Sequence, residues 1–419
     1  MGRQGRRIII VAPHRFNIGG SWRRTMDWDV IVVGAGPGGS TAARFAAEGG
    51  ARTLLLEKRA EIGVPVRCGE GIAPRWLEMI GVVVEGDWVV NRVRGARIYS
   101  PNGTCLTVDD DNLGTEVGAV ISRTGLDQHL AQLAADAGAE VRTSVSVTGL
   151  LRDGDAVTGV RLRNSDGSSE ELPCGVVIGA DGFESQVGRW AGLPTHRKPA
   201  DMCGALQYTM VDLDIDHTYC EFYLAKGSKG AYIWSFPKTA SESNVGIGCM
   251  LSRVKQPGEI KALLDSFIAE HPDFANGKVI DTIAGGVSLS EPLEQTAAAG
   301  VMLVGDAARH IDAITGGGVA NACLSGRQAG RVAVAAMEAG DFSDEFLQAY
   351  DRGWREEMEG RLYHSYLAKT KLTEIEPEMI DAVVATMVKV GVDEPTVQGI
   401  LEVLEEHHPE ILEKVGAML

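Results

Sequence analysis

The chain has 419 residues, 44% hydrophobic and 23% charged, which is soluble globular composition with room for two or three domains. Its formal net charge of −17 excludes a nucleic-acid partner and electrostatic docking on anionic lipid, because both need basic surface, so any membrane contact has to be apolar. Seven scattered cysteines (Cys68, Cys105, Cys174, Cys203, Cys220, Cys249, Cys323) without a C-x-x-C pair read as reduced cytosolic thiols, and the nine histidines show no ligand spacing, so no metal site is expected.

Residues 1–25 hold six arginines and no acid, against an otherwise acidic chain. Their apolar piece Ile8–Ala12 is shorter than the ~7–15 residues of a signal-peptide core. Met26 reads as the functional start, and the leader as an extension outside the fold.

The stretch from Asp29 to Glu57 organises the rest of the chain. An apolar run, Val30 to Val33, breaks into Gly34-Ala35-Gly36-Pro37-Gly38-Gly39, continues through helix-compatible Ser40 to Ala47, and returns as Thr53 to Leu56 before Glu57. Each part suits a bound dinucleotide. Gly34 permits the tight turn, Gly36 lets backbone approach a pyrophosphate, and Gly39 lets the helix pack on the strand. The phosphate then meets a helix N-terminus, and Glu57, ~20 residues on, accepts from a ribose hydroxyl.

Next comes Arg67-Cys68-Gly69-Glu70-Gly71, a glycine-rich loop with a thiol and a carboxylate near one another, either a connector or a loop lying against a ligand. Short strands are expected at Ala96–Tyr99 and Cys105–Val108. Arg123 precedes a helix over Leu126–Ala137. A strand spans Val141–Val147, hairpins turn at Asp153-Gly154 and Asp166-Gly167, and Val176 to Ile178 runs into Gly179-Ala180-Asp181-Gly182.

Residues 202–292 change to alternating runs at Ala205–Val211, Tyr219–Leu224, Tyr232–Phe236 and Val245–Met250, which predict an antiparallel sheet interrupted by a helix at Ile260–Ala269. Tyr232, Trp234 and Phe236 share one face of their strand. That stripe reads either as core or as the wall of an apolar tunnel. The first pattern then returns: strand Val301–Val304, Gly305-Asp306-Ala307, Gly316-Gly317-Gly318, and an apolar helix Val319–Ala336. His310, close after Asp306, is a further candidate for proton transfer, but reads rather as a packing or solvent-facing residue. From Ser343 the chain is helical and charged, with Glu402, Glu405 and Glu406 opposite Leu401, Leu404 and Ile411. No apolar run approaches the ~18–20 residues needed to span a bilayer.

Taken together, the Gly34–Gly39 turn with Glu57, Arg123 before its helix, Ala180-Asp181-Gly182 and Gly305-Asp306-Ala307 resemble the FAD-binding fold of the aromatic-hydroxylase type. Arg67-Cys68-Gly69-Glu70-Gly71 and Tyr232-x-Trp234-x-Phe236-Pro237 resemble the geranylgeranyl reductase family, most closely its archaeal members that saturate digeranylgeranylglycerophospholipids. Two positions depart from the family pattern: Lys229 and Ala313 stand where proline is usual.

The resemblance implies an α/β chain: a discontinuous Rossmann-type FAD-binding domain (27–100, 120–185, 293–342), an antiparallel-sheet substrate domain (101–119, 186–292) and a C-terminal helical region (343–419). It implies a cofactor site of Gly34, Gly36, Gly39, Glu57, Lys58, Arg67, Cys68, Gly69, Gly71, Arg123, Val147, Asp181, Asp306, Gly317, Gly318 and Val319. Cys68 and Glu70 become the catalytic candidates, and Tyr232, Trp234 and Phe236 the substrate wall. The expected reaction is saturation of isoprenoid double bonds in geranylgeranyl lipids by hydride from reduced flavin. Only one complete dinucleotide fingerprint exists, assigned to FAD, so electrons arrive from a ferredoxin-like carrier protein or from weakly docked NAD(P)H. The expected location is cytoplasmic, peripheral on the inner face of the membrane. The alternatives are a flavin monooxygenase on the same architecture and a non-catalytic prenyl-binding protein.

Overall fold

The computed structural model describes residues 27–109, 118–224, 230, 232–372, 375–391, 403 and 405–409. The leader, Lys229 and the residues 401, 402, 404 and 411 lie outside them.

Strand β1 (Trp28–Val33) is buried along nearly its whole length, as an unbroken Val/Ile run in a parallel sheet demands. It turns at Gly34, where φ is +106° and a Cβ would stand 2.4 Å from the Ala180 carbonyl oxygen. Helix α1 (Pro37–Glu48) then starts with proline in its first turn, where the missing N–H costs nothing. β2 (Thr53–Leu56) pairs parallel to β1. After the glycine-rich loop come β3 (Gly71–Ile72), α2 (Pro74–Glu78), β4 (Val89–Arg92), β5 (Gly95–Tyr99), β6 (Cys105–Asp109) and β7 (Ala119–Ile121).

Helix α3 (Arg123–Asp136) is capped by the Ser122 hydroxyl, which accepts from the Gly125 N–H, so Arg123 is its first residue. The expected strand at 141–147 is two: β8 (Glu140–Arg142) stays in the parallel sheet, and β9 (Ser146–Asp153) leaves it. Ser144 between them has φ +60°. β9, β10 (Ala156–Arg163) and β11 (Ser169–Gly179) form the two predicted hairpins, and β11 returns alongside β1. Helix α4 (Gln186–Ala191) buries Val187 among Ile31, Val177 and Leu303. Residues 186–191 therefore pack with the first sheet and not with the substrate sheet to which the sequence assigns them.

The second sheet holds β12 (Met202–Val211), β13 (Tyr219–Tyr223), β14 (Ile233–Thr239), β15 (Glu242–Met250) and β16 (Lys278–Ser288), with α5 (Glu259–Glu270) on its outer face. Its order is β16-β12-β15-β14-β13-β5-β6. Gly95–Tyr99, assigned from sequence to the cofactor domain, thus belongs here, because β5 pairs in parallel with β13.

The chain closes the first sheet with β17 (Ala297–Ala298) and β18 (Val301–Leu303), giving the order β17-β18-β11-β1-β2-β8. Helix α6 (Val319–Ala339) comes next and lies against α1 so closely that a Cβ at Gly326 would be 2.2 Å from the Gly38 carbonyl oxygen. Helices α7 (Asp344–Trp354), α8 (Gly360–Leu372) and α9 (Pro377–Val390) follow. α7 buries Leu347, Tyr350 and Trp354 in the first core, while α9 sets Val384 and Met387 on Leu106 and Val108 of β6.

Candidate functional site

A cavity of about 1240 Å³ lies between the two sheets. One wall is the first glycine turn (Gly36, Pro37, Gly38), Gly305-Asp306 and the loop Gly316–Val319; the facing wall carries Gln207, Tyr232, Trp234 and Phe236. Beneath α9 the cavity becomes apolar, lined by Ile98, Leu106, Val108, Ile380, Val384 and Met387.

Two helices begin at this cavity. α1 starts at Gly36 and α6 at Gly318, and no side chain among the described residues caps either. Their first N–H groups are therefore open to an anion, and both macrodipoles point positive ends at it. Nothing among the described residues comes within 4 Å of where a Cβ at Gly36 would stand, which leaves room for a pyrophosphate. Gly39 serves packing, as its Cβ would stand 1.9 Å from the Gly34 carbonyl oxygen. A Cβ at Gly318 would meet the Asp306 carboxylate at 3.0 Å. Burial raises the Asp306 carboxyl above its ordinary value, against the pull of Arg123. The Glu57 carboxylate accepts from the Ala35 N–H and the Arg59 N–H, both at 3.0 Å, and so fixes the turn it faces. These features fit the FAD that the resemblance implies.

The loop Arg67–Gly71 forms the seam between the two walls. Cys68 Sγ accepts the Glu70 N–H at 3.3 Å. The Arg123 guanidinium lies against the same thiol; burial pulls its pKa down, but Asp127 and Cys68 more than offset that and hold it well above its ordinary value. Arg123 also forms a two-pronged pair with Asp127, at 3.0 Å for each prong. Gly69 and Gly71 leave room for the aromatic wall: a Cβ on either would stand 2.8 Å or 3.1 Å from the Phe236 ring. Trp234 in turn lies across Gly246, where a Cβ would be 2.3 Å from the indole. Tyr232 donates its hydroxyl to the Thr315 carbonyl and stands edge-on to Phe222 and Trp234.

Several residues that the sequence marks for the site do something else. Glu70, a candidate acid, is 5% exposed and fully engaged. Its Oε1 accepts the Arg123 N–H at 2.8 Å, and its Oε2 accepts from Asn244 Nδ2 at 2.9 Å and faces Lys238 Nζ at 3.1 Å. In that position it braces the loop while still lining the cavity. Asp181 accepts from Ser185 Oγ, the Gln186 N–H and the Val187 N–H, so its carboxylate caps α4 while its neighbours Ala180 and Gly182 line the cavity. Val147 packs on β9 against the core of the first sheet, and Lys58 is exposed; neither lines the cavity. Ala313, in place of the usual proline, is 1% exposed and packs with Cys203 and Leu289.

Gln207, Asn244 and Lys238 belong to no sequence motif. Their only signal is polarity at inward positions of otherwise apolar strands, which strand alternation can flag but not interpret.

The family model of the geranylgeranyl reductase catalytic domain matches residues 201–287, and that of the FAD dependent oxidoreductases matches residues 29–199. The digeranylgeranylglycerophospholipid reductase of Picrophilus torridus is 39% identical over 94% of this chain and 100% of its own length. That of Methanosarcina acetivorans is 41% identical over 92% and 94%. Among solved structures, the geranylgeranyl bacteriochlorophyll reductase-like protein of Thermoplasma acidophilum superposes with a TM-score of 0.89 at 40% identity, over 94% of this chain and 99% of that one. A p-nitrophenol 4-monooxygenase of Pseudomonas putida reaches a TM-score of 0.71 at 18% identity, over 93% of this chain and 98% of its own, a likeness of fold alone.

Proposed function

The chain belongs to the geranylgeranyl reductase family of FAD-dependent oxidoreductases, and on that premise we propose that it saturates isolated double bonds of geranylgeranyl chains on a digeranylgeranylglycerophospholipid. When bound, FAD supplies the two-electron reductant, delivering a hydride to one alkene carbon. The protein has to hold the cofactor, hold the chain and provide a proton for the second carbon.

The open N–H groups of α1 would hold the pyrophosphate, Glu57 a ribose hydroxyl, and the amides of Gly317–Val319 the flavin ring. No carbonyl polarises an isolated alkene, so the reacting carbons need a dry cavity, and Trp234, Phe236, Phe222, Ile98 and Leu106 provide it. With Glu70 braced, Cys68 is the proton donor: its S–H bond breaks as the new C–H bond forms, and the thiolate left beside Arg123 is reprotonated from solvent.

The observation that carries this reading is the contact of Phe236 with Gly69 and Gly71, which makes the apolar wall and the cofactor-facing loop one surface. Electrons come from a ferredoxin-like carrier or NAD(P)H. No helix among the described residues is long and apolar enough to cross a membrane, and the lipid is taken up from the membrane surface into the apolar end beneath α9. The test is mass spectrometry of geranylgeranyl lipids incubated anaerobically with dithionite-reduced protein. A gain of two hydrogens per double bond is expected; oxygen-dependent products without that gain would overturn the reading.

A further inference from the structure

Gln207 sits in the middle of β12 and is 3% exposed. Its Oε1 accepts the indole N–H of Trp234 at 2.9 Å, and its Nε2 donates to the Cys68 carbonyl at 3.3 Å. An indole nitrogen only donates and a peptide carbonyl only accepts, so the group between them must accept at one end and donate at the other. A neutral amide does this, whereas a carboxylate would set oxygen against oxygen. The same device recurs one strand away. Asn244 Oδ1 accepts from the Thr209 hydroxyl at 3.1 Å, while its Nδ2 donates to the Gly69 carbonyl at 3.2 Å and to Glu70 at 2.9 Å. The Cys68–Glu70 turn, with Glu70 at φ +75°, is thus held largely by amides of the substrate sheet.

Resting on the function proposed above, we infer that Gln207 is a positioning residue that couples occupancy of the aromatic wall to the orientation of Cys68. A prenyl chain lying on Trp234 fixes the indole, the indole fixes the Gln207 amide, and the amide fixes the Cys68 carbonyl and with it the thiol against Arg123. Substrate presence is in this way communicated to the proton donor through two hydrogen bonds.

The test reads the alkylation rate of Cys68 by iodoacetamide in the FAD-loaded protein, by peptide mass spectrometry, with buried Cys174, Cys220 and Cys323 as internal controls. Gln207→Met is expected to change the Cys68 rate at least about threefold with flavin content retained, and to lower kcat while KM stays within about twofold. Trp234→Phe removes the indole N–H while keeping an aromatic ring, yet shifts the Cys68 rate in the same direction, and the double variant goes no further than Gln207→Met alone. An unchanged Cys68 rate in Trp234→Phe, or two effects that simply multiply, would overturn the coupling. Should Gln207→Met not fold, Trp234→Phe alone decides, because the relay through an intact Gln207 requires a changed rate. A protein that never reduces geranylgeranyl lipid would sink the function, while the alkylation cycle would still report on Gln207.

Discussion

Lys238 Nζ lies 3.1 Å from Glu70 Oε2, across the seam between the two sheets, with the side chains 19% and 6% exposed. Removing the lysine leaves a buried carboxylate whose remaining partners are the Asn244 amide and the Arg123 N–H. Lys238→Met is therefore expected to destabilise the protein toward the lower end of the ~3–5 kcal/mol seen when a buried pair loses one member. Glu70→Gln combined with Lys238→Met removes the uncompensated charge but sets the new amide NH2 against either the Arg123 N–H or Asn244 Nδ2, so it should recover only a small part of that loss. Urea midpoints of the native chain and both variants check this, and a Lys238→Met midpoint equal to that of the native chain would rule the brace out.

Gly34 and Gly36 separate folding from cofactor binding. A Cβ at Gly34 collides with the Ala180 carbonyl on a backbone at φ +106°, while one at Gly36 enters open space at φ −74°. Gly34→Ala should cost several kcal/mol of stability, of order 3 from backbone conformation and steric overlap together. Gly36→Val should fold as the native chain does but lose the visible flavin absorbance. Circular dichroism and absorbance spectra read both; a yellow Gly36→Val protein would show that the pyrophosphate lies elsewhere.

Cys68→Ala tests the proton donor. General acids contribute ~10²–10⁴-fold, so kcat should fall at least about 100-fold with flavin content and lipid KM held. Stopped-flow single turnover separates this from slow product release, and full turnover in Cys68→Ala would transfer the role to another group.

His310 provides a pH signature. It is 0% exposed, both ring nitrogens lack a partner among the described residues, and its ring centre packs 4.3 Å from that of Trp354. Burial, with a smaller push from Arg355, lowers its pKa to about 3. The unfolded chain takes up this proton near pH 6.5 and the folded chain does not, so the unfolded state binds more protons between those values. Stability from this group is whole above about pH 6.5 and falls by ~1.4 kcal/mol per pH unit as pH drops toward 3. His310→Leu should flatten that slope without loss at pH 7, measured as urea midpoints from about pH 7 to 4. An unaltered slope would place the acid sensitivity elsewhere.

The parts of this molecule that a reader of the sequence can see are those whose partners are near in the chain. The strand, glycine turn and helix from Trp28 to Glu48 satisfy their own constraints locally, so their residue types announce them. Glu70 is legible as unusual but not as a brace, since Lys238 and Asn244 come from strands far along the chain and meet it only after the sheets stack. Asp181 misleads for a related reason: an acid before a helix start looks the same whether it serves a ligand or an N-terminus. Sequence assigns β5 to the wrong sheet because its parallel partner, β13, lies at a distance along the chain that no local pattern encodes.

The close meeting of α1 and α6, where Gly326 faces the Gly38 carbonyl and Gly330 the Ala42 carbonyl, leaves no slack between the helices. Their amino ends are consequently held at one fixed separation on the edge of the cavity. Under the function proposed above, a ligand that bridges the two ends has to match that separation, so the reach from its phosphate to its ring is set by the packing of two helices rather than by any one side chain.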